Sequence, residues 1–160
     1  MGEVTIRRAG MDDAFIVAAL HLQLARERGM PPEPGFLDRF VDAWLSERAE
    51  RPTWFAECRG EHAGVLESRL IRSLPWPGRP DSSWLQIGVL FVSPTQRGRG
   101  VGRALMEGML DWARGTDVRV VRLETPQATQ ATDDPARGFP EHFGFESSHR
   151  MMELDLRKAP

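Results

Sequence analysis

Phe91-Val92-Ser93-Pro94-Thr95-Gln96-Arg97-Gly98-Arg99-Gly100-Val101-Gly102-Arg103 is the stretch on which the reading of this 160-residue chain turns. A strand ends at Val92, a few residues reverse the chain, and Gly98, Gly100 and Gly102 lead into a helix. Unpaired N–H groups then converge in front of a positive helix dipole, a geometry that suits a phosphate or pyrophosphate. Glycine matters because a Cβ would hold an anion off the backbone, and because such turns need unusual φ values. Arg97, Arg99 and Arg103 add positive charge. The same residues also make a tight structural turn with solvated arginines, so the neighbouring elements have to decide between the two.

Working outward, Trp84 to Val92 is apolar on both faces except at Gln86, as expected of a strand inside a sheet. Val101 to Gly115 carries Val101, Leu105, Met109 and Trp112 on one side of a helix, and Val118 to Thr125 is the next strand. Strand, helix, strand predicts a parallel crossover. Upstream, Val4 to Arg8 reads as a strand and Met11 to Arg28 as a helix ended by Gly29. The run Met30 to Gly35 holds three prolines and is a stiff loop. Leu37, Phe40, Val41, Trp44 and Leu45 form the apolar stripe of a second helix that ends near Glu50. Thr53 to Arg59 and Ala63 to Leu74 flank Gly60-Glu61 as an antiparallel hairpin, followed by a Pro-rich loop around Trp76. A polar stretch over 126–138, a short helix within Phe139 to Phe145 and a strand from Glu146 to Leu156 complete the order. This is an α/β chain around a mixed sheet, and its length holds one domain, 1–160.

Composition narrows the partners. The charge of -2 gives no general attraction to nucleic-acid phosphates or anionic lipid, and no run approaches 18 apolar residues. Neither nucleic acid nor membrane is expected as a partner, while a homodimer stays open. Cys58 is the sole cysteine, no Cys/His set has metal-ligand spacing, and the N-terminus lacks a signal-peptide pattern. A cytoplasmic protein without a metal site is expected. Cys58 alternates with Trp54 and Ala56 and reads as a small core residue rather than a nucleophile.

A dinucleotide fingerprint needs G-x-G-x-x-G directly after the strand, whereas the spacing here is G-x-G-x-G with five residues between Val92 and Gly98. No P-loop pattern is present. The segment instead resembles the GCN5-related N-acetyltransferases (GNAT). V-x-P-x-x-R-G-x-G-x-G at Val92 to Gly102 carries that family's R/Q-x-x-G-x-G/A signature at Arg97, Gly100 and Gly102, and Phe143-Gly144-Phe145 is similar to its late L-G-F. The resemblance covers nearly the whole chain in element order. It implies a GNAT-like fold, with a central mixed, mostly antiparallel sheet flanked by helices on both faces, and an acetyl-CoA site. The pyrophosphate would lie on the amides of Arg97, Gly98, Arg99, Gly100, Val101, Gly102 and Arg103, with the pantetheine arm along Leu90, Phe91 and Val92 as an added strand.

Acyl transfer to an amine needs a neutral amine, a stabilised oxyanion and a thiolate leaving group. Members of the family that use a glutamate base carry it eleven residues before the signature Arg or Gln. That slot holds Gln86 here, and an amide cannot take a proton. The tyrosine-acid slot falls on Pro140, in a chain without tyrosine, and an Asn frequent at the start of the last helix corresponds to Asp133. Glu67, Glu124 and Glu27 are the other carboxylates able to approach the cleft directly or through water, although the ordinary reading of each is a surface group. Among the histidines only His142 falls near the expected cleft. Acceptor residues are sought at Met30, Phe36, Trp76 and Trp84, with Glu27, Glu33 and Asp81 beside them; Phe36 and Trp84 equally suit the core. The expected reaction is transfer of an acetyl group from acetyl-CoA to a primary amine of a small molecule or peptide, with Glu67 and Gln86 as catalytic candidates. The alternative is a non-catalytic acyl-CoA-binding module. Pro140 and Gly138 also predict that the last helix is broken, with a turn restarting near Pro140.

Overall fold

A computed structural model describes residues 3–78, 83–124 and 139–146. Two compact units divide the chain, Met1–Glu124 and Thr125–Pro160. In the first, β1 (Val4–Arg8) leads through a 3-10 turn into α1 (Ala14–Glu27) and α2 (Phe36–Glu47). There follow β2 (Thr53–Cys58), β3 (Glu61–Ile71), β4 (Trp84–Val92), α3 (Val101–Arg114) and β5 (Val120–Leu123). The strands lie in sequence order, the first four antiparallel and β5 parallel to β4, as the crossover reading requires.

Period-two alternation sends successive side chains to opposite faces, and each face meets its own helices. Phe55, Val65 and Phe91 pack with Val17, Leu20, Val41 and Trp44 of α1 and α2. On the other face Trp54 meets Trp112 edge-on, and the space beside Gly64 is filled by Leu105 and Val101 of α3. Helices thus cover both faces of the mixed sheet. Cys58 is buried and unpaired, as its alternation with Trp54 and Ala56 suggests.

Several boundaries differ from the sequence reading. The hairpin turns on Arg59-Gly60, both with positive φ (55° and 77°), so Glu61 already belongs to β3. Such a pair matches the twist of the flanking strands. β3 ends at Ile71, before the Pro-rich loop, and β5 is only four residues long. Leu37 lies off the buried stripe of α2, which centres on Val41 and Trp44.

In the second unit the described residues form a 3-10 turn, Glu141–Phe143, started by Pro140 at φ -63° and closed by Gly144 at φ +84°. Phe143 N–H donates to the Pro140 carbonyl, and Phe139 packs on Phe143. The turn begins at Pro140, as expected. Asp81, Asp133, Gly138 and the strand over 146–156 fall, wholly or nearly so, outside the described residues.

Candidate active site

Two features of β4 prepare a binding edge. β3 pairs with it from Trp84 to Val92, but β5 pairs only from Trp84 to Ile87. The β5-facing edge of Gly88 to Val92 is therefore left without a strand partner among the described residues. The departure coincides with a bulge: Glu67 faces Val89 and Ser68 faces Ile87, so Gly88 is one extra residue in β4. A Cβ on Gly88 would stand 2.5 Å from Glu67 Oε2, which explains a glycine at this point.

The open edge runs into the glycine turn. Ser93 anchors the start, its N–H donating to the Ala63 carbonyl and its hydroxyl to Gln23 Oε1 at 2.9 Å. Pro94 to Gln96 make one 3-10 turn, and Gly98 and Gly100 take φ of +74° and +81°. Among the described residues nothing lies within 4 Å of where their Cβ atoms would stand. The first main-chain bond of α3 is Ala104 N–H to Gly100. Among the described residues, the N–H groups from Gly98 to Arg103 have no acceptor, and an anion can take them.

Side chains divide the arginines. Arg97 donates from Nε to the Val92 carbonyl and pairs with Glu27 at the end of α1, so it holds the turn in place. Its own N–H is used on Pro94, which leaves little for an anion. Arg103 pairs with Glu107 one turn along, while Arg99 is exposed. Glu27, expected as a cleft carboxylate, is thereby a partner of the turn.

Glu67 is not the surface group that its type suggests. It is 8% exposed, its Oε1 accepts from Arg51 at 2.7 Å, and its Oε2 packs against Gly88. Arg51 also holds Glu47 at 2.6 Å, so the carboxylate is fixed from α2 across to the bulge. Gln86 and Trp84 share that face of β4. Among the described residues, Gln86 Nε2 and Trp84 Nε1 are buried donors without a partner, each costing about 1–3 kcal/mol if left so. Glu124 follows β5 beside the bulge and is exposed. Met30 and Trp76 are also exposed, and Phe36 stacks on Phe40.

The residue that sequence reasoning missed is His21. It packs on Phe40 at 4.6 Å between ring centres, and its Nδ1 lies 2.8 Å from the Val17 carbonyl. Donation from Nδ1 leaves the Nε2 lone pair free. Burial lowers its pKa from 6.5; the Val17 bond and the Glu67 charge oppose the shift, and Arg51 adds to it. His142, the histidine expected at the cleft, is exposed on the turn of the second unit. A cavity lined by Arg8, Arg48, Arg51 and Thr53 opens away from the glycine turn, and among the described residues no carboxylate, histidine or thiol lines it.

Comparison with known proteins decides the family. Residues 18–145 match the model of the acetyltransferase (GNAT) family. The chain belongs to that family. A chain from Clostridium acetobutylicum, described as a predicted acetyltransferase with acetyl-CoA, superposes with a TM-score of 0.78 at 16% identity over 97% of both chains. Glucosamine-6-phosphate N-acetyltransferase from Arabidopsis thaliana does so with 0.71 at 14% identity, over 96% of this chain and 99% of its own. A transcriptional regulator from Bacillus halodurans gives 0.75 at 21% identity, over 96% and 100%. At such identities the likeness is one of fold. No curated protein matches. GNAT membership supports acyl transfer from acetyl-CoA as the activity class, and no helix among the described residues is long and apolar enough to cross a membrane.

Proposed function

We propose that the whole chain acts as one acetyl-CoA-dependent N-acetyltransferase domain that acetylates a primary amine in a ternary complex in the cytoplasm. The observation that carries this reading is the open edge of β4 from Gly88 to Val92, continuous with the unpartnered amides of Gly98 to Arg103. Those residues fit acetyl-CoA. Leu90 to Val92 offer main-chain groups to an extended amide-bearing arm, Gly98 to Arg103 receive a pyrophosphate, and Arg99 adds charge.

Bound acetyl-CoA supplies the thioester. Overall, one C–N bond forms, the C–S bond breaks, and one amine proton passes through the site to the sulfur. An alkyl ammonium near pKa 10 must lose a proton first, at about 1.4 kcal/mol per unit below its pKa. Glu67, held by Arg51, attracts the ammonium and so binds the acceptor while adding to the cost of that proton's loss, and His21 Nε2 is the neutral acceptor able to relay it through water. Main-chain positioning along β4 supplies the orientation.

Titration with acetyl-CoA by calorimetry, followed by thiol release over a panel of amines, tests the reading. Micromolar binding and turnover are expected; absence of binding at millimolar acetyl-CoA overturns it. A second reading, a non-catalytic acyl-CoA-binding module, is favoured by Gln86 and Pro140 standing in the two proton-transfer slots. Rapid turnover of any amine excludes it.

A further inference from the structure

One row of side chains crosses three strands near the bulge. Arg69 of β3 is paired with Gln86 of β4, and Gln86 with Arg122 of β5. Directly paired residues share a face, so two arginines flank Gln86 in the sheet. The Arg122 guanidinium lies over the ring of Trp84, 4.2 Å from its centre, two residues from Gln86 on the same strand. Arg69 and Arg122 are both exposed, and among the described residues neither has an ion pair. Gln86 Nε2 and Trp84 Nε1 are buried and have no hydrogen-bond partner among the described residues. The row thus concentrates donors and positive charge without an ion pair among the described residues, although the Arg69 charge is felt at Glu47.

The opposite charge stands one row away. Glu67 precedes Arg69 by two residues on β3, about 7 Å along a strand, and Glu124 follows Arg122 by two. Carboxylates therefore stand at the bulge and donors beyond it. Building on the acyltransferase reading above, we propose that the acceptor is an amine that also carries an anionic group, a carboxylate or a phosphate. The ammonium lies toward Glu67 and Glu124, and the anion on Arg69, Gln86 and Arg122. In this arrangement the amide at position 86 has a purpose of its own. A carboxylate there would neutralise the row, whereas Gln86 donates to the anion.

The test pairs charged with neutral amines: β-alanine against β-alaninamide, and phosphoethanolamine against ethanolamine, each with saturating acetyl-CoA. Wild type is expected to prefer one charged member at least tenfold in kcat/KM. Which pair shows the preference separates carboxylate from phosphate. In the R69Q/R122Q double variant the preference should collapse to within about threefold, and Gln86→Leu should reduce it, with acetyl-CoA affinity as the control for folding. Equal use of charged and neutral amines by wild type, or a preference that survives the double variant, overturns the proposal while leaving the acyltransferase reading in place. Calorimetry without turnover separates the converse case. Binding of phosphoethanolamine or β-alanine that needs Arg69 and Arg122, with no thiol released, keeps the row and removes the transferase. Absence of both binding and turnover for all four amines overturns the row as well.

Discussion

The glycine turn and the end of β4 proposed to take the acceptor are built by opposite means. From Gly98 to Arg103 the groups proposed to bind are main-chain amides in a contiguous loop, with glycine at three positions, while neighbouring Arg97 is turned toward Glu27. Around the bulge the groups are side chains from four elements: His21 of α1, Glu67 and Arg69 of β3, Gln86 of β4 and Arg122 of β5. The turn suits a ligand portion common to a whole family, because every chain has the same backbone. The bulge region can change its ligand with single substitutions while the sheet stays as it is.

The contrast can be broken most sharply at Gly100. Gly100→Glu places a side chain and a negative charge on a +81° φ position at the proposed anion site. Acetyl-CoA affinity is expected to fall at least a hundredfold, about 2.8 kcal/mol, with far-UV circular dichroism unchanged. Unaltered affinity in a folded variant means that the turn is structural. A smaller effect, and of the other kind, is expected at Glu67. Glu67→Ala removes the largely buried partner of Arg51, leaving it only the more exposed Glu47, and should cost about 2 kcal/mol of stability in urea unfolding. If Arg51→Met in the same background restores most of the loss, the ion pair positions rather than stabilises.

The third test sharpens the acceptor end through pH. The folded His21 imidazole binds its proton more weakly than the unfolded one, chiefly through burial. Below 6.5 the unfolded chain therefore holds more protons. The contribution is complete above that pH and is lost as pH falls through 6.5 toward the folded value, so urea midpoints should decline on that side. His21→Phe should flatten this part of the profile; a profile unchanged by the substitution excludes His21 as its source. The smallest effect is assigned to Arg97→Ala. Its pair with Glu27 is partly exposed, so stability should change by less than about 1 kcal/mol, while acetyl-CoA affinity drops severalfold as the turn loosens.

The same division explains what could be read in advance. The order of elements, the parallel crossover and the turn all follow from local patterns: apolar periodicity, three glycines and prolines at loops. Arg97 reads in the sequence as charge, as the signature arginine and as an amide for the pyrophosphate, but not as the partner of Glu27, because nothing local announces that Glu27 lies opposite. Glu67 looked like a surface carboxylate since its alternation within β3 gives no hint that Arg51, sixteen residues earlier, covers it. His21 sits on an otherwise apolar face of α1 and had no spacing to mark it; the one available signal was a polar ring where Leu20 and Leu24 belong to the buried side. The short β5 also escaped, because where a strand stops pairing depends on its neighbour's bulge rather than on its own residues.

That bulge has an evolutionary consequence. In an uninterrupted ladder Gln86 would stand opposite Leu70, and the side chains from Trp84 to Ile87 would exchange faces, sending the amide toward the α3 side and Ile87 into the cleft. Gly88 absorbs that offset by standing outside the ladder: with its codon lost, Ile87 would still face Ser68 and Gln86 would still face Arg69, so the cleft floor keeps its chemistry and only the bulge disappears. A relative without the extra residue is therefore comparable with this chain across a one-residue gap at Gly88, and the residue it aligns with Gln86 there stands on the same face. Aligned without that gap, every position on the N-terminal side is matched to a residue of the opposite face.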